Sequence, residues 1–454
     1  MTQTFFDVSD ILTYIREHRS VSGIQRAAVQ IIAQAVRLAP EGTVFLSFYH
    51  PVKKSYLTCP AADLIEALTA FDTQSLAAAF GVRLKRSPIP DVYLQRYKDH
   101  PAKQVVHVVR MHLAGWRGRA RYFERRGLNF QHWQQLYGPR RAAKQVTLRP
   151  FKDVAQPGDA LCGLGAIWGR GKVLSAFQKA SDTGVRVYLL VHDLIPMKLP
   201  EMADPRAARS YHQWLVGSAD YVTGYLANSE ATAADLTAFL AEHGLDSTVH
   251  VTPLAQAGVS AGTASPPSLS PLVHEAATLP YVLCVGTIEP RKNLWRLAQI
   301  WARLSQRTDL ELPRLVLAGK RGWLTDGFLA MLERTGGFGG WVIWLDAPED
   351  HELDHLYRNC LFTATVSLYE GWGLPIGEGL SYGKTGVVSQ TSSMPEVGRE
   401  LVEYCDPAFM PSIEEAVVRL LDPEHRAALE AKIADTTLRS WEDVGGDVLT
   451  ALSR

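Results

Sequence analysis

Apolar positions along the chain alternate between short β-branched runs and helical spacing, and this pattern is laid down twice. Phe5, Phe6 and Val8 predict a first strand, and Ile24, Ala27, Ala28, Ile31 and Ile32 recur at helical spacing just after Gly23. Runs at 44–48, 105–109, 185–191 and 222–227 predict further strands. Residues 257–271 are rich in Gly, Ala, Ser and Pro and read as a linker. The alternation then restarts with strands at 281–285, 315–318 and 342–345, a helix over 294–304 and another helix from 353. Strands alternating with helices in both halves predict an α/β protein of two doubly wound, Rossmann-like domains facing a cleft. The predicted domains are 1–262, with an insertion at about 96–150, and 273–435. A linker at 263–272 joins them, and a terminal helix at 436–454 follows.

The most informative stretch is 363–397. Thr363, Thr365 and Val366 predict a buried strand that ends at Glu370. Gly371 and Gly373 supply a turn, Pro375 suits a helix start, Glu378 falls in that helix's first turn, and Gly383 is placed to end it. A glycine loop opening a helix N-terminus attracts an anion. Phosphate would repel the two flanking carboxylates, so they are better suited to accept hydrogen bonds from hydroxyls beside it. A sugar nucleotide has hydroxyls on both sides of its phosphates. The plainer alternative is a tight strand-to-helix turn in which Glu378 favours the helix dipole.

Other strand ends carry chemistry too. Arg291 and Lys292 follow the 281–285 strand and precede a helix, a position suited to a diphosphate. The 185–191 strand ends in His192 and Asp193, and ligands of parallel sheets bind beyond such ends. Ser229 reads as the cap of the helix that follows it. The glycines at 163, 165 and 169 imitate a dinucleotide fingerprint, but the last is one residue late and no acid ends the next strand at the expected distance. They read as a turn.

The segment Ser-Leu-Tyr-Glu-Gly-Trp-Gly-Leu-Pro, the Glu370/Glu378 pair and Ser393-Met-Pro-Glu396 resemble the signature of glycosyltransferase family 4, whose members are retaining enzymes of GT-B fold. The resemblance is dense from about residue 280 onward and sparse before it. It implies that Glu370 faces the donor sugar and Glu378 holds the nucleotide ribose, while the amides of Gly371, Trp372, Gly373 and Leu374 meet sugar and phosphates. It places Lys292 on the phosphates, with Arg291 supplying the charge that many members carry at the position of Thr287. Gly23 falls where a glycine loop approaches the phosphates, and His192 stands against the donor sugar. The first domain would bind the acceptor, and the terminal helix would cross back to it. The implied activity is transfer of a sugar from a GDP- or UDP-linked donor to a glycan or lipid-linked acceptor, in surface polysaccharide biosynthesis. No cofactor and no metal are expected, and the chain lacks any Asp-x-Asp pair. Two other classes fit the same residues: an epimerase or phosphorylase of this fold, or a non-catalytic nucleotide-sugar-binding scaffold.

Composition narrows the setting. Forty-seven basic and 47 acidic side chains cancel across 454 residues, so no global polyanion signal exists. Five scattered cysteines without a C-x-x-C pair fit a reducing compartment rather than a disulfide or zinc framework. No signal peptide is evident, and no apolar run is long enough to span a membrane. The expectation is a cytoplasmic protein, peripheral at the inner membrane. Charge is uneven locally: between 96 and 149, Arg110, Arg117, Arg119, Arg121, Arg125, Arg126, Arg140, Arg141, Lys144 and Arg149 face only Asp99 and Glu124. Trp116, Tyr122, Phe123, Phe130 and Trp133 are interleaved with them. This segment reads either as a solvated insertion or as a surface for anionic lipid. No nucleic-acid motif accompanies it.

Overall fold

Two sheets divide the chain in the computed structural model, which describes residues 2–17, 22–50, 52–82, 100–126, 128, 130, 133, 146–258 and 269–454. The first sheet contains β1 (Thr4–Asp7), β2 (Val44–His50), β3 (Ser55–Pro60), β4 (Arg149–Pro150), β5 (Ala160–Gly163), β6 (Arg186–Val191), β7 (Gly224–Ala227) and β8 (Val249–Val251). Its order is β4-β3-β2-β1-β5-β6-β7-β8, parallel except at the β2-β3 and β3-β4 pairings. The second contains β9 (Tyr281–Val285), β10 (Arg314–Ala318), β11 (Val342–Leu345), β12 (Thr363–Thr365), β13 (Gly386–Ser389) and β14 (Glu403–Cys405). Its order is β11-β10-β9-β12-β13-β14, all parallel.

Strand order reverses beside β1, which lies between β2 and β5, and beside β9, which lies between β10 and β12. Crevices open at such reversals, beyond the carboxyl ends of the strands. The loops leaving β9 and β12 carry Arg291, Lys292 and Glu370, so the topology itself brings those residues together.

The two halves share a core. One buried cluster runs from Phe6, Ile31 and Leu46 in the first half through Leu254 and Ala255 to Trp372, Ile376 and Met394 in the second. The last helix, Trp441–Ser453, adds Val444, Val448 and Leu452 to this first-half cluster. Its start is fixed by a reciprocal cap between Ser440 and Asp443. Arg37 and Glu442 pair across its contact with the Gly23–Leu38 helix at 3.5 Å.

Three expectations need correction. The 105–109 run is not a strand; it lies inside the helix Pro101–Trp116. Four valines within five residues suit either period, and the sixteen-residue length with proline at the N-terminus decides for helix. Glu378 is the fifth residue of the helix Leu374–Ser381, one residue later than expected and so past the first turn, because Gly373 rather than Leu374 is the cap. The expected linker ends early, since a helix already begins at Pro271. Most of that linker, and Asp99, Arg140, Arg141 and Lys144 of the basic segment, lie outside the described residues.

Candidate functional site

Glycines shape the loop between β12 and the Leu374–Ser381 helix. A side chain on Gly371 would meet the His192 carbonyl oxygen at 1.8 Å, so only glycine lets the two domains approach there. Gly373 has φ +98°, a conformation that ordinary side chains resist. The loop is then tied down from both domains. Ser229 and Thr232 donate to the Gly371 carbonyl at 2.8 and 3.3 Å. Ser393 donates to the carbonyls of Glu370 and Trp372, both at 3.0 Å. Ser229 also caps its own helix, so its expected structural part and a cross-domain contact coexist.

Glu370 is buried at the centre of a charge cluster. Arg291 reaches Oε2 at 2.7 Å and Lys292 reaches Oε1 at 2.5 Å, while Ser367 donates to Oε1 at 2.6 Å. Burial alone would raise this carboxyl. Arg291 and Lys292 outweigh it and bring it down from 4.5 to about 2. Arg291 also donates to the Tyr369 carbonyl at 2.6 Å and pairs with Glu289 at 2.5 Å. Glu370 is therefore a fixed acceptor of hydrogen bonds, and two cations stand beside it.

His192 and Asp193 come from the first domain and pack against Gly371. The His192 ring donates through Nε2 to the Leu164 carbonyl at 2.8 Å, which leaves Nδ1 as the acceptor nitrogen. Burial pushes His192 down and Asp193 up, and Arg291 opposes the second shift from the far domain. Behind them, Asp10 accepts from Gln25 at 2.6 Å and pairs with Arg170 at 3.1 Å. Asp10 was not legible beforehand, because its partners lie 15 and 160 residues away.

Glu378 occupies a different wall. Tyr357 donates to its Oε2 at 2.6 Å. Burial raises its carboxyl, with Arg26 and Tyr357 opposing only in part. Arg26 comes from the first domain and pairs with Asp350 at 3.0 Å. Gly23, at the start of Arg26's helix, faces the Leu374 side chain, and a Cβ there would lie 3.3 Å from it. Two helix N-termini thus meet at the signature loop, and each favours negative charge.

The predicted residues do not all gather. Gly23 meets Leu374, the His192 backbone meets Gly371, and Arg291 and Lys292 grip Glu370, while Gly373 and Glu378 lie in the same loop and helix, so these nine gather. Thr287 stands aside, with its methyl group toward the loop at Gly322. The Trp372 side chain is buried in the shared core and donates to the Ala255 carbonyl at 3.3 Å, so it anchors the loop. Glu396 accepts from the backbone N–H groups of Glu230 and Ala231 at 2.8 and 2.9 Å, capping a first-domain helix. Among the described residues, no three His, Cys, Asp or Glu side chains gather to hold a metal ion.

Residues 273–434 match the family model described as Glycosyl transferases group 1. O-antigen chain mannosyltransferase B of Escherichia coli is 33% identical over 180 residues, covering 39% of this chain and 47% of that protein. Serotype-specific mannosyltransferase WbdA of Escherichia coli is 25% identical over 234 residues, 49% of this chain and 28% of that protein. This chain thus spans less than half the length of either relative. Among solved structures, Anabaena Alr3699/HepE in complex with UDP and glucose superposes with a TM-score of 0.57 at 14% identity, covering all of both chains. An Escherichia coli trehalose-6-phosphate structure bound with UDP-2-fluoro glucose gives 0.56 at 14% identity, over 100% and 99% of the two chains. These likenesses show the expected GT-B fold.

Proposed function

We propose that this chain, whose second domain is a group 1 glycosyl transferase domain, moves a sugar from a nucleotide donor to a glycan acceptor in surface polysaccharide synthesis. The observation that carries this reading is the cluster in which Arg291 and Lys292 both grip Glu370, at the carboxyl ends of strands beside the β9 reversal. A nucleoside diphosphate leaving group gathers negative charge as the glycosidic bond breaks. Arg291, Lys292 and the N-terminus of the Leu374–Ser381 helix meet that charge without requiring a metal ion. Glu370, ionised, accepts hydrogen bonds from the donor sugar's hydroxyls, and Glu378 binds the ribose. His192 orients the sugar from the other wall. Transfer proceeds with retention: the acceptor hydroxyl attacks on the face the diphosphate leaves, and the departing phosphate oxygen takes its proton. Mannose is the donor sugar to test first, since both curated relatives are named as mannosyltransferases.

Calorimetry on Lys292→Ala tests the phosphate clamp. Affinity for UDP or GDP, whichever binds, should fall about 10- to 100-fold, as expected for the loss of one charge-assisted contact. Affinity for the bare nucleoside should hold. An equal loss for both ligands would remove Lys292 from the phosphates.

A further inference from the structure

The helix Pro101–Trp116 belongs to neither sheet. Its Met111 and Ala114 close a small separate core with Phe123, Leu128 and Trp133. Its other side is open. Val105, Val109 and Trp116 are 62%, 51% and 66% exposed, and Val106 and Leu113 are exposed as well.

At about 100° per residue, these positions fall in a strict order around the axis. Val105, Trp116, Val109, Ala102, Leu113 and Val106 follow one another in steps of roughly 20° and fill an arc of about 100°. Arg117, Arg110 and Lys103 continue the series over roughly the next 60°. All three are exposed. The open side of the helix is thus an apolar arc joined along one edge to a basic arc. Residues 100–126 hold seven Lys and Arg against Glu124 alone, a net of +6 (7 − 1), in a chain whose total is zero.

We infer that this helix lies flat in the headgroup layer of an anionic lipid surface. The apolar arc meets the acyl boundary, the basic arc meets lipid phosphates, and Trp116 sits at the interface. Charge complementarity selects this occupant over a second copy of the chain. A two-fold contact through the same arc offers the arginines of either copy no acidic arc to receive them, whether the two helices run parallel or antiparallel. Among the described residues no helix is long and apolar enough to cross a membrane, so docking of this kind would be peripheral. The inference goes beyond glycosyl transfer and depends on none of the donor-site residues.

Co-sedimentation of the full chain with vesicles tests it. Binding is expected to vesicles of phosphatidylglycerol with phosphatidylcholine, little to phosphatidylcholine alone, and less as salt rises. Val109→Glu with Leu113→Glu should abolish it even at low salt, and each of Arg110→Gln and Arg117→Gln should weaken it roughly fivefold. Quenching of tryptophan fluorescence by brominated lipid should fall in Trp116→Phe. Affinity for UDP or GDP should stay at its wild-type value in every variant. Three results would overturn the inference. One is absence of binding to anionic vesicles at low salt. Another is binding that survives the double glutamate variant. The third is self-association, seen by sedimentation velocity, that the same variant removes in place of vesicle binding.

Discussion

Glu370 and Glu378 are eight residues apart and both buried, yet their surroundings drive them in opposite directions. Glu370 sits where loops from β9 and β12 converge, and each carboxylate oxygen receives a cation. Glu378 sits in the following helix, where a tyrosine hydroxyl is its direct partner and Arg26, the cation that acts on it most, is committed to Asp350. The first is held ionised, near 2; the second is displaced upward. Burial is common to both, so it does not decide the outcome. The number of cations within direct reach does, and that number is set by which strands lie side by side.

The largest expected effect comes from deleting charge at the first site. Glu370→Gln leaves Arg291 and Lys292, both mostly buried, facing a neutral amide. Breaking a buried ion pair from one side costs about 3–5 kcal/mol, measurable by urea unfolding. Transfer should fall with it. Glu378→Gln replaces a carboxyl that is already displaced toward its neutral form, and should cost under about 1 kcal/mol. Equal losses in the two variants would erase the comparison.

The pH dependence of stability should separate the two sites more finely. Glu370 is depressed in the folded state, so its contribution is present above 4.5 and disappears as pH falls toward about 2. The shift from 4.5 to about 2 corresponds to about 3 kcal/mol. The stability gap between wild type and Glu370→Gln should therefore narrow from pH 5 to pH 2.5. Glu378 has the opposite sign: its folded value is raised, so its contribution is complete below 4.5 and declines as pH rises through the folded value. Wild type relative to Glu378→Gln should lose ground upward in pH. Two parallel profiles would mean that the carboxyls titrate alike.

The two sites also differ in how much of them the sequence reveals. Glu370, Arg291 and Lys292 were legible because glycine loops and strand ends mark them locally, and a parallel sheet collects its strand ends on one edge. Ser229 was legible as a cap, since capping is local, but its bond to the Gly371 carbonyl was not. Asp10, the carboxylate behind His192, was missed for the same reason: its ties to Gln25 and Arg170 are tertiary. The helix Pro101–Trp116 was misread because Val-Val-x-Val-Val carries no distinct period. Glu378 itself was recognised by spacing, while its partner Tyr357 arrives from another helix 21 residues earlier.

The smallest predicted effect bears most directly on what Glu378 is. Tyr357→Phe keeps the buried ring and its stacking on Tyr382, and removes only the 2.6 Å bond to Oε2. That bond lowers the Glu378 carboxyl, working against burial. Without it, the folded value must rise further, so the variant pays an increasing penalty as pH climbs and the group is pressed to ionise. Near pH 4, below the ordinary carboxyl value of 4.5 from which Glu378 is raised, the cost should be that of one neutral hydrogen bond, roughly 0.5–1 kcal/mol. At pH 8 the cost should be larger, moving toward the roughly 1.5–3 kcal/mol of a bond to a charged group. Urea unfolding at the two pH values measures the difference. A penalty that does not change with pH would mean that Tyr357 bonds both forms of the carboxyl equally. Glu378 would then owe its raised value to burial alone, and the contrast with Glu370 would reduce to the presence or absence of cations.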